Sequence, residues 1–401
     1  MDGIPRAEAA LTTLYGALQA RLRSPGDLRR LGGALKNLQR GLTGDRTLAG
    51  SGYFSTRDFL DIYLLYYWPV SFMQASYALE ELARRGVLPE IRTVLDLGAG
   101  PGPASFAAFA RGAESSLLLD GSAEALRFAA DLSESTGFGK VRTETKDLEN
   151  VLALHYGPFD LIVASHSINE LWKGLPDAVE RRAALLLAAV DSLAPGGVLL
   201  VLEPSASATA IPALKVRDRV LSLGAGGGLR CLGPCLDSSP CPAIRAGEGR
   251  SCHSTWPWKP LPFVERLAAH AGLDRDSVKS TWFALGRGTL PRSSDALDAR
   301  NGLEEANYLR GRIISEAMLN KAGRIRYIAC TGPDLATVSA KSGDPSTAAS
   351  GFPSLARGDI VGLENLERRE GDRSFGLLQS SGMRRELSIR EFAAQAARGE
   401  A

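Results

Sequence analysis

The sequence has no long apolar run and no surplus of charge of either sign. The longest apolar stretches, such as residues 183–190, fall well short of the roughly 20 residues that a membrane-spanning helix needs. The 401 residues include 47 basic and 45 acidic side chains, so no overall field favours nucleic acid or a membrane. The first residues also lack the basic start and apolar centre of a secretory signal. We therefore expect a cytoplasmic protein with no membrane partner.

Cysteine is absent from the first 230 residues, and four of the five cysteines fall within 22 positions. In a reducing compartment, clustered thiols favour metal binding or catalysis over disulfides. The spacing lacks the paired C-x-x-C knuckles of structural zinc, but prolines beside Cys235 and Cys241 favour rigid turns around a compact centre. Four thiolates could hold either a four-iron cluster or one zinc ion, and buried thiols without a ligand are the alternative. His253, next to Cys252, is a substitute ligand.

Strand-like and helix-like segments alternate from residue 92 onward. Strands are predicted at residues 93–97, 116–120, 159–164 and 198–203, and helices at 104–111, 123–132 and 177–193. Such alternation predicts an α/β domain with a doubly wound, mostly parallel sheet covered by helices on both faces. Beyond this domain the pattern predicts helices at 263–271 and 303–321 and strands at 280–286 and 324–330.

The segments before and after this predicted sheet do not show the same alternation of strands and helices. Residues 1–50 and 58–86 predict helices, with Pro69 opening the second of two packed helices in the latter segment. A Ser-, Ala- and Gly-rich stretch at 338–352 predicts a loop, and 358–379 predicts short strands of a small barrel or hairpin. We therefore predict a helical region at 1–85, a nucleotide-binding domain at 86–222, a cysteine-rich region continuing that domain at 223–335, and a small C-terminal region at 336–401.

A glycine-rich turn follows the first predicted strand. Residues 94–102 read VLDLGAGPG, an apolar strand that runs into a tight turn and then a helix. Glycine allows positive φ and lets a ligand approach the backbone closely, and the strand–turn–helix context makes this motif more specific than a lone glycine triplet. The turn residues predicted to contact a nucleotide are Gly98, Ala99, Gly100 and Gly102.

Acidic residues around this turn favour a methyl donor over a dinucleotide. Asp96 lies inside the strand, where its carboxylate can bind an ammonium group or organise the turn. Asp120 ends the next strand, where a carboxylate can accept both ribose hydroxyls, although a helix-capping role is the alternative. Asp147 follows the third helical segment, from which an acid could reach an adenine amino group. The pattern predicts binding of S-adenosylmethionine.

The fourth strand ends in a polar loop, residues 165–171 (SHSINEL). Ligands of open α/β sheets bind at the carboxyl ends of the strands, so this loop could face the methyl group or its acceptor. The candidates are Ser165, which could also touch the donor, and His166, Asn169 and Glu170. The alternative is that these residues only fix the loop.

Residues 85–210 resemble the class I S-adenosylmethionine-dependent methyltransferases, because the motifs occur together and in order. Over residues 55–335 the chain resembles the methyltransferase-like assembly factors of the mitochondrial small ribosomal subunit and their bacterial relatives. This second resemblance depends on the glycine-rich turn, the 165–171 loop, LEP at 202–204, GPC at 233–235, PCP at 240–242, SCH at 251–253 and KAGRIRYIAC at 321–330. It implies a four-iron, four-sulfur cluster on Cys235, Cys241, Cys252 and Cys330, and binding to small-subunit ribosomal RNA. Cys231 is outside this set and would be a spare thiol.

Three functions remain open at this point. The chain could be a methyltransferase acting on RNA, an assembly factor that uses the fold as a scaffold, or a small-molecule methyltransferase ordered by zinc. No N-P-P-Y motif is present, and the fourth strand holds no cysteine of the kind that RNA cytosine methyltransferases use. Basic residues near the fourth cysteine favour RNA contact, with a solvated helix face as the alternative: Arg312, Lys321, Arg324 and Arg326.

Overall fold

The computed structural model describes residues 3–20, 28–41, 57–150, 154, 156–247, 252–273, 275–287 and 308–394. Its amino-terminal part is helical, as the sequence predicts: α1 (Ile4–Ala20), α2 (Leu28–Gln39), α3 (Arg57–Ile62) and α4 (Trp68–Arg84). A π-helical turn, Tyr63–Tyr67, joins α3 to α4 without a break. Residues 57–84 thus form one continuous helix, not the two packed helices predicted for this segment. Pro69 has no N–H to donate, and the Leu65 carbonyl, four residues earlier, accepts from the Tyr15 hydroxyl at 2.9 Å.

The first sheet is built from repeating strand–helix units. Its parallel part contains β1 (Thr93–Leu97), α5 (Pro103–Arg111), β2 (Ser115–Asp120), α6 (Ala123–Thr136), β3 (Lys140–Thr145), β4 (Phe159–Ser165), α7 (Ala178–Val190) and β5 (Leu193–Glu203). Neighbouring strands pair in the order β3-β2-β1-β4-β5. The buried runs of β1, β4 and β5 are typical of strands covered on both faces.

Antiparallel strands complete this sheet. They follow α8 (Ser207–Gly224) and comprise β6 (Leu229–Gly233), β7 (Ser254–Pro257) and β8 (Ser277–Arg287), with α9 (Pro242–Arg245) and α10 (Pro262–Ala271) between them. β8 lies antiparallel between β5 and β6 and also pairs with β7. Separate apolar cores cover the two faces, one with α4 and α5 and the other with α7 and α8. The predicted doubly wound, mostly parallel α/β sheet is confirmed.

A second, smaller sheet follows residue 307. It contains β9 (Tyr308–Ile313), β10 (Met318–Leu319), β11 (Arg324–Cys330), β12 (Leu335–Lys341), β13 (Ile360–Arg368) and β14 (Ser374–Leu387), with helices α11 (Pro345–Ala349) and α12 (Ile389–Ala394). β13 and β14 are antiparallel neighbours in the segment for which short strands were predicted. The sheet begins inside the range 223–335 that was predicted to continue the α/β domain, and it has a core of its own.

Two local predictions are wrong. Within the predicted helix 303–321 the described residues form β9 and β10, because pairing with β11 and β13 overrides the helix-forming composition. Within the predicted loop 338–352, residues 338–341 complete β12 and residues 345–349 form α11. The edge strand β3 was not predicted, since its mostly exposed residues lack an apolar face. Among the described helices, none is long and apolar enough to cross a membrane.

Candidate functional site

The glycine turn between β1 and α5 is tied to the end of β2. The amides of Gly98 and Ala99 donate to the Leu119 carbonyl at 2.8 and 3.1 Å. Gly98 has φ +68°, and a Cβ there would lie 2.4 Å from Cβ of Ser167, in the loop after β4. Gly102 caps the start of α5 at φ +75°. Positive φ and close approach of backbone therefore make glycine necessary at position 98.

Asp96, in β1, is buried and only half satisfied. The side chain is 1% exposed, and its Oδ2 accepts a hydrogen bond from Ser105 Oγ at 2.7 Å. Its Oδ1 is buried and has no hydrogen-bond partner among the described residues. Burial raises the pKa of Asp96 to about 7, although the bond from Ser105 opposes the rise. A cationic ligand group at Oδ1 would satisfy this oxygen and favour the carboxylate.

Asp120, at the end of β2, lies beside the glycine turn and accepts hydrogen bonds from nearby backbone amides. Its Oδ2 accepts from the Gly100 amide at 2.8 Å and its Oδ1 from the Ser122 amide at 2.7 Å. The side chain that caps α6 is Ser122, which accepts from the Ala125 amide. Burial raises the pKa of Asp120. Each carboxylate oxygen keeps a second acceptor position, so the ribose role predicted for Asp120 is compatible with these bonds.

The loop after β4 contains one unsatisfied polar group and one strained residue. Ser165 Oγ is buried without a partner among the residues that the structure describes. His166 has φ +58°, and its Nε2 lies 2.8 Å from Oε1 of Gln74 in α4. Burial lowers the pKa of His166 to about 4, so the ring is neutral at physiological pH. Ser165 and His166 therefore present uncharged groups at the carboxyl end of β4.

Asn169 and Glu170 belong to a short 3-10 turn, Ile168–Glu170, and Asn169 has clear structural contacts. The side chain of Asn169 donates a hydrogen bond to the Thr209 carbonyl at 2.8 Å. The backbone N–H of Asn169 donates to Glu203 Oε1 at 3.0 Å. These bonds favour the loop-fixing interpretation of Asn169. Asp147, the predicted adenine contact, is exposed, and its carboxylate accepts from the Glu149 amide and the Asn150 side chain.

The helical amino-terminal region covers the glycine turn, which the sequence did not reveal. Nε1 of Trp68 donates to the Pro101 carbonyl at 3.0 Å. Burial and the carboxylate of Asp120 raise the pKa of Tyr63, on the π-helical turn, so this side chain lies near the acids of β1 and β2. The Tyr67 hydroxyl is buried without a partner among the described residues. No local signal marked these aromatics as more than core residues.

The four cysteines singled out by the resemblance line one cavity. Cys235, Cys241 and Cys252 come from the loops after β6 and before β7, and Cys330 comes from the end of β11. All are free thiols, and burial raises the pKa of Cys252 to about 11 and of Cys330 to about 12. Within the described residues, no group of three or more His, Cys, Asp or Glu side chains is placed to hold a metal ion. The thiols thus share a cavity without converging on one point.

Two more protein groups belong to this neighbourhood. His253 lines the same cavity, and its buried Nδ1 has no partner among the described residues. Burial lowers the pKa of His253 to about 4, so its ring is neutral. Cys231 is buried beside Cys235. A hydrogen bond between the two thiols and the positive charge of Arg217 lower the pKa of Cys231 to about 6.

Buried arginines hold the loop that carries Cys235. Arg217 donates to the carbonyls of Asp237 and Ser239 at 3.0 and 2.8 Å. Arg85 donates to the carbonyls of Pro234 and Cys235, both at 2.9 Å. These cations lie close to the thiols, which favours thiolate ligands and an anionic centre.

Arg312, in β9, links the second sheet to this loop and to α4. Its guanidinium pairs with both carboxylate oxygens of Glu81, the shorter contact being 2.5 Å, and donates to Ser254 Oγ at 3.0 Å. Both side chains of the ion pair are almost completely buried. The predicted RNA contact by Arg312 is therefore wrong: the predicted helix that would have exposed it is a buried strand.

A protein-family model described as a methyltransferase domain matches residues 91–232. The match spans about a third of the chain and contains the glycine turn, both strand-end acids and the loop after β4. Together with the strand order, it identifies the first sheet as a class I methyltransferase fold of Rossmann type. No curated protein matches the chain.

Several solved methyltransferases are similar to part of the chain. An amino pentose methyltransferase from Micromonospora echinaspora is 23% identical over 33% of this chain and 50% of its own, with a TM-score of 0.26. Magnesium protoporphyrin IX methyltransferase from Synechocystis is 14% identical over 55% and 81%, with a TM-score of 0.33. The ribosomal protein L11 methylase from Lactobacillus delbrueckii is 17% identical over 54% and 80%, with a TM-score of 0.31. The chain spans about half the length of the first of these proteins.

Proposed function

We propose that the first sheet binds S-adenosylmethionine and transfers its methyl group. The observation that carries this proposal is a pair of buried polar atoms, Asp96 Oδ1 and Ser165 Oγ, that have no hydrogen-bond partner among the residues described. They belong to neighbouring parallel strands, β1 and β4, and lie at the edge where ligands of such sheets bind. Because unsatisfied buried polar atoms cost free energy, a ligand with donor groups is the natural partner.

The residues present fit this cofactor. Asp96 offers a buried carboxylate oxygen to its ammonium group, and Asp120 offers acceptor positions to the ribose hydroxyls. The glycine turn leaves room for close approach of the amino acid part, and Tyr63 and Trp68 close the pocket from the amino-terminal side. When bound, the cofactor supplies a sulfonium-activated methyl group.

The protein's part in the reaction is to position the reactants and exclude water. The methyl carbon passes from sulfur to the acceptor, the electrons of the broken bond stay on sulfur, and the acceptor loses its proton to solvent. Catalysis of such a displacement is mostly alignment of the two reactants. A neutral His166, held by Gln74, places no second positive charge beside the sulfonium.

Calorimetric titration with S-adenosylmethionine tests the donor site. Asp96→Asn removes the carboxylate charge while keeping its shape, and we expect at least about 30-fold weaker binding, since a buried charged hydrogen bond contributes roughly 2 kcal/mol or more. Asp191→Asn makes the same chemical change at an exposed ion pair with Arg287 and should leave binding unchanged. Equal affinities for the wild type and Asp96→Asn would rule out this site.

We also propose that Cys235, Cys241, Cys252 and Cys330 hold a four-iron, four-sulfur cluster. Their common cavity and the surrounding arginines support an anionic centre. Thiolates of such a cluster bind separate irons, so their sulfurs need not meet at one point.

Anaerobic purification with iron, sulfide and zinc analysis tests the metal centre. We expect visible absorbance and about four irons per chain. Cys330→Ser should lose the colour and the iron, whereas Cys231→Ser, the matched control, should keep both. A colourless protein with one zinc per chain would replace the cluster with a zinc site.

Small-subunit ribosomal RNA is the partner that the resemblance supports, and we propose it as the methyl acceptor or the assembly target. Tritiated methyl transfer to immature small subunits distinguishes the two roles. Transfer that is lost in Asp96→Asn supports an enzyme. Subunit binding with no transfer by a protein that binds the donor supports a scaffold.

A further inference from the structure

The second sheet closes into a five-stranded barrel. β9 pairs with β11 on one side and with β13 on the other, so the strand order runs β9-β11-β12-β14-β13 and returns to β9. β12 and β14 are parallel, whereas the other pairs are antiparallel, and α11 lies between β12 and β13. Numbered within the barrel, this order is 1-2-3-5-4-1. It is the Greek-key topology of the OB fold.

Strands 2 and 3 of this barrel type, with adjoining loops, form its usual ligand surface. Here those strands are β11 and β12. Their inward residues, including Tyr327, Ala329 and Val338, form the barrel core. Because side chains alternate along a strand, Arg324 and Arg326 of β11 and Thr337 of β12 face outward. Topology alone assigns no function, so the chemistry of this face has to carry the inference.

Like charges are held together on this outer face. Arg324 lies directly opposite Lys341 in the β11–β12 register. A Cβ at Gly376 of β14 would lie 2.9 Å from Arg369 Cδ and 3.1 Å from an Arg324 terminal nitrogen, so both side chains cover this glycine. Burial, and then the charge of Arg369, lower the pKa of Arg324, and Glu367, which pairs with Arg369 at 2.9 Å, opposes this only in part. Like charges directly opposite destabilise a sheet, and a bound anion would relieve that cost.

Several cations of this face make no ion pair within the part of the chain that the structure describes. Lys321, Arg326 and Lys341 are exposed and make no ion pair with any described residue. Elsewhere on the barrel, three arginines are paired with acids: Arg310 with Glu386, Arg357 with Glu316 and Arg384 with Glu386. Lys321, Arg326 and Lys341 thus leave exposed positive charge on the face of β11 and β12.

Exposed apolar side chains border these cations. Met318 and Leu319 of β10 are 40% and 71% exposed, and Leu378 of β14 is 46% exposed. Met318 is paired in register with Arg326. These are three of the five large apolar side chains exposed among the described residues. Such surface beside unpaired cations suits a ligand with both phosphates and flat apolar faces.

We propose that the outer face of β11 and β12, bordered by β10, binds single-stranded RNA. Arg324, Arg326 and Lys341 contact the phosphates, and Met318, which is paired with Arg326, contacts an unstacked base. A neutral oligosaccharide would leave the cations without a partner, so RNA is the better fit. The proposal refines the RNA partner proposed above and does not depend on methyl transfer.

Fluorescence anisotropy of the full chain with a labelled RNA of roughly 12 nucleotides, single-stranded and of mixed sequence, tests the proposal. The triple variant Arg324→Gln, Arg326→Gln, Lys341→Gln should bind roughly tenfold more weakly, with a salt slope lower by about 2. The control Arg266→Gln, Arg384→Gln, Arg390→Gln removes the same charge elsewhere and should bind within about twofold of wild type. A single Arg326→Gln variant, at an exposed side chain, should show a smaller loss and guards against misfolding.

Three outcomes would overturn the proposal: unchanged binding by the triple variant, an equal loss in the control, or duplex RNA bound as tightly as the single strand. The donor site is scored separately by titrating S-adenosylmethionine. Asp96→Asn should lose the donor and keep RNA binding, whereas the triple variant should do the reverse. Failure of one pattern with success of the other identifies which proposal is wrong.

Discussion

The proposed donor pocket and the cysteine cavity are assembled in different ways. The proposed donor pocket draws Asp120, Asp96 and Ser165 from the carboxyl ends of three neighbouring parallel strands of one sheet. The cavity draws three cysteines from loops of the first sheet and Cys330 from the second. The pocket is therefore built into a repeating strand–helix unit, whereas the cavity exists only while two sheets are docked.

Because of this difference, the two sites are held in place by different interactions. Backbone amides of the glycine turn bind the end of β2, so the pocket is fixed by local chain geometry. The cavity depends on buried arginines, and Arg312 reaches from β9 to Glu81 in α4 across 231 positions of sequence. Disruption of this long-range ion pair should affect the cavity first and the pocket much less.

The largest effect is expected for Arg312→Met. It leaves Glu81 buried with only Arg85 nearby, at 3.9 Å, and should lower the free energy of unfolding by about 3–5 kcal/mol. Urea denaturation measures the loss, and faster alkylation of Cys330 by iodoacetamide reports opening of the cavity.

Arg310→Met on the same strand is the matched control. Its partner Glu386 remains partly accessible, so the expected loss is about 1–2 kcal/mol. Equal losses for the two variants would show that docking does not depend on the Arg312 ion pair.

A smaller loss of stability is expected for Gly98→Ala, which changes the glycine turn of the proposed donor pocket. The new Cβ combines a positive φ with a contact of 2.4 Å to Ser167, so we expect a loss on the order of 2–3 kcal/mol and weaker donor binding. Gly137→Ala shares the positive φ, at +70°, but meets nothing within 4 Å, and should cost only about 1 kcal/mol. If both variants bind the donor like wild type, the turn does not contact it.

The smallest effect is the pH dependence of donor binding. Because the Asp96 pKa is raised to about 7, the carboxylate forms only as pH rises through neutrality. Affinity should increase about tenfold between about pH 6 and pH 8, within the window set by that pKa. The stability of the free protein should change in the opposite direction, since a raised carboxyl pKa stabilises the fold at low pH and loses that contribution as pH passes about 7.

Calorimetry and urea titrations at several pH values check both trends. Asp96→Asn should abolish the dependence assigned to this carboxyl. A pH profile shared by the variant and the wild type would assign the titration to another group, such as the amino group of the donor itself.

The sequence by itself determined the α/β sheet and the positions along the chain of four of its parallel strands. Buried strands show as short apolar runs, and the nucleotide-binding turn shows as glycines just before a helix. Both signals span only a few residues, so they can be recognised in the sequence without knowing the tertiary contacts. Asp96 and Asp120 could be named as site candidates for the same reason, since strand ends are defined by the pattern.

Only the tertiary structure decided the rest. The strand character of Tyr308–Ile313, the burial of Arg312 and the covering of the pocket by Trp68 all arise from partners far away in sequence. Pairing and burial free energies of such contacts exceed the small helix or strand preferences of single residues. The barrel and its charged face therefore emerge only once the chain has closed on itself.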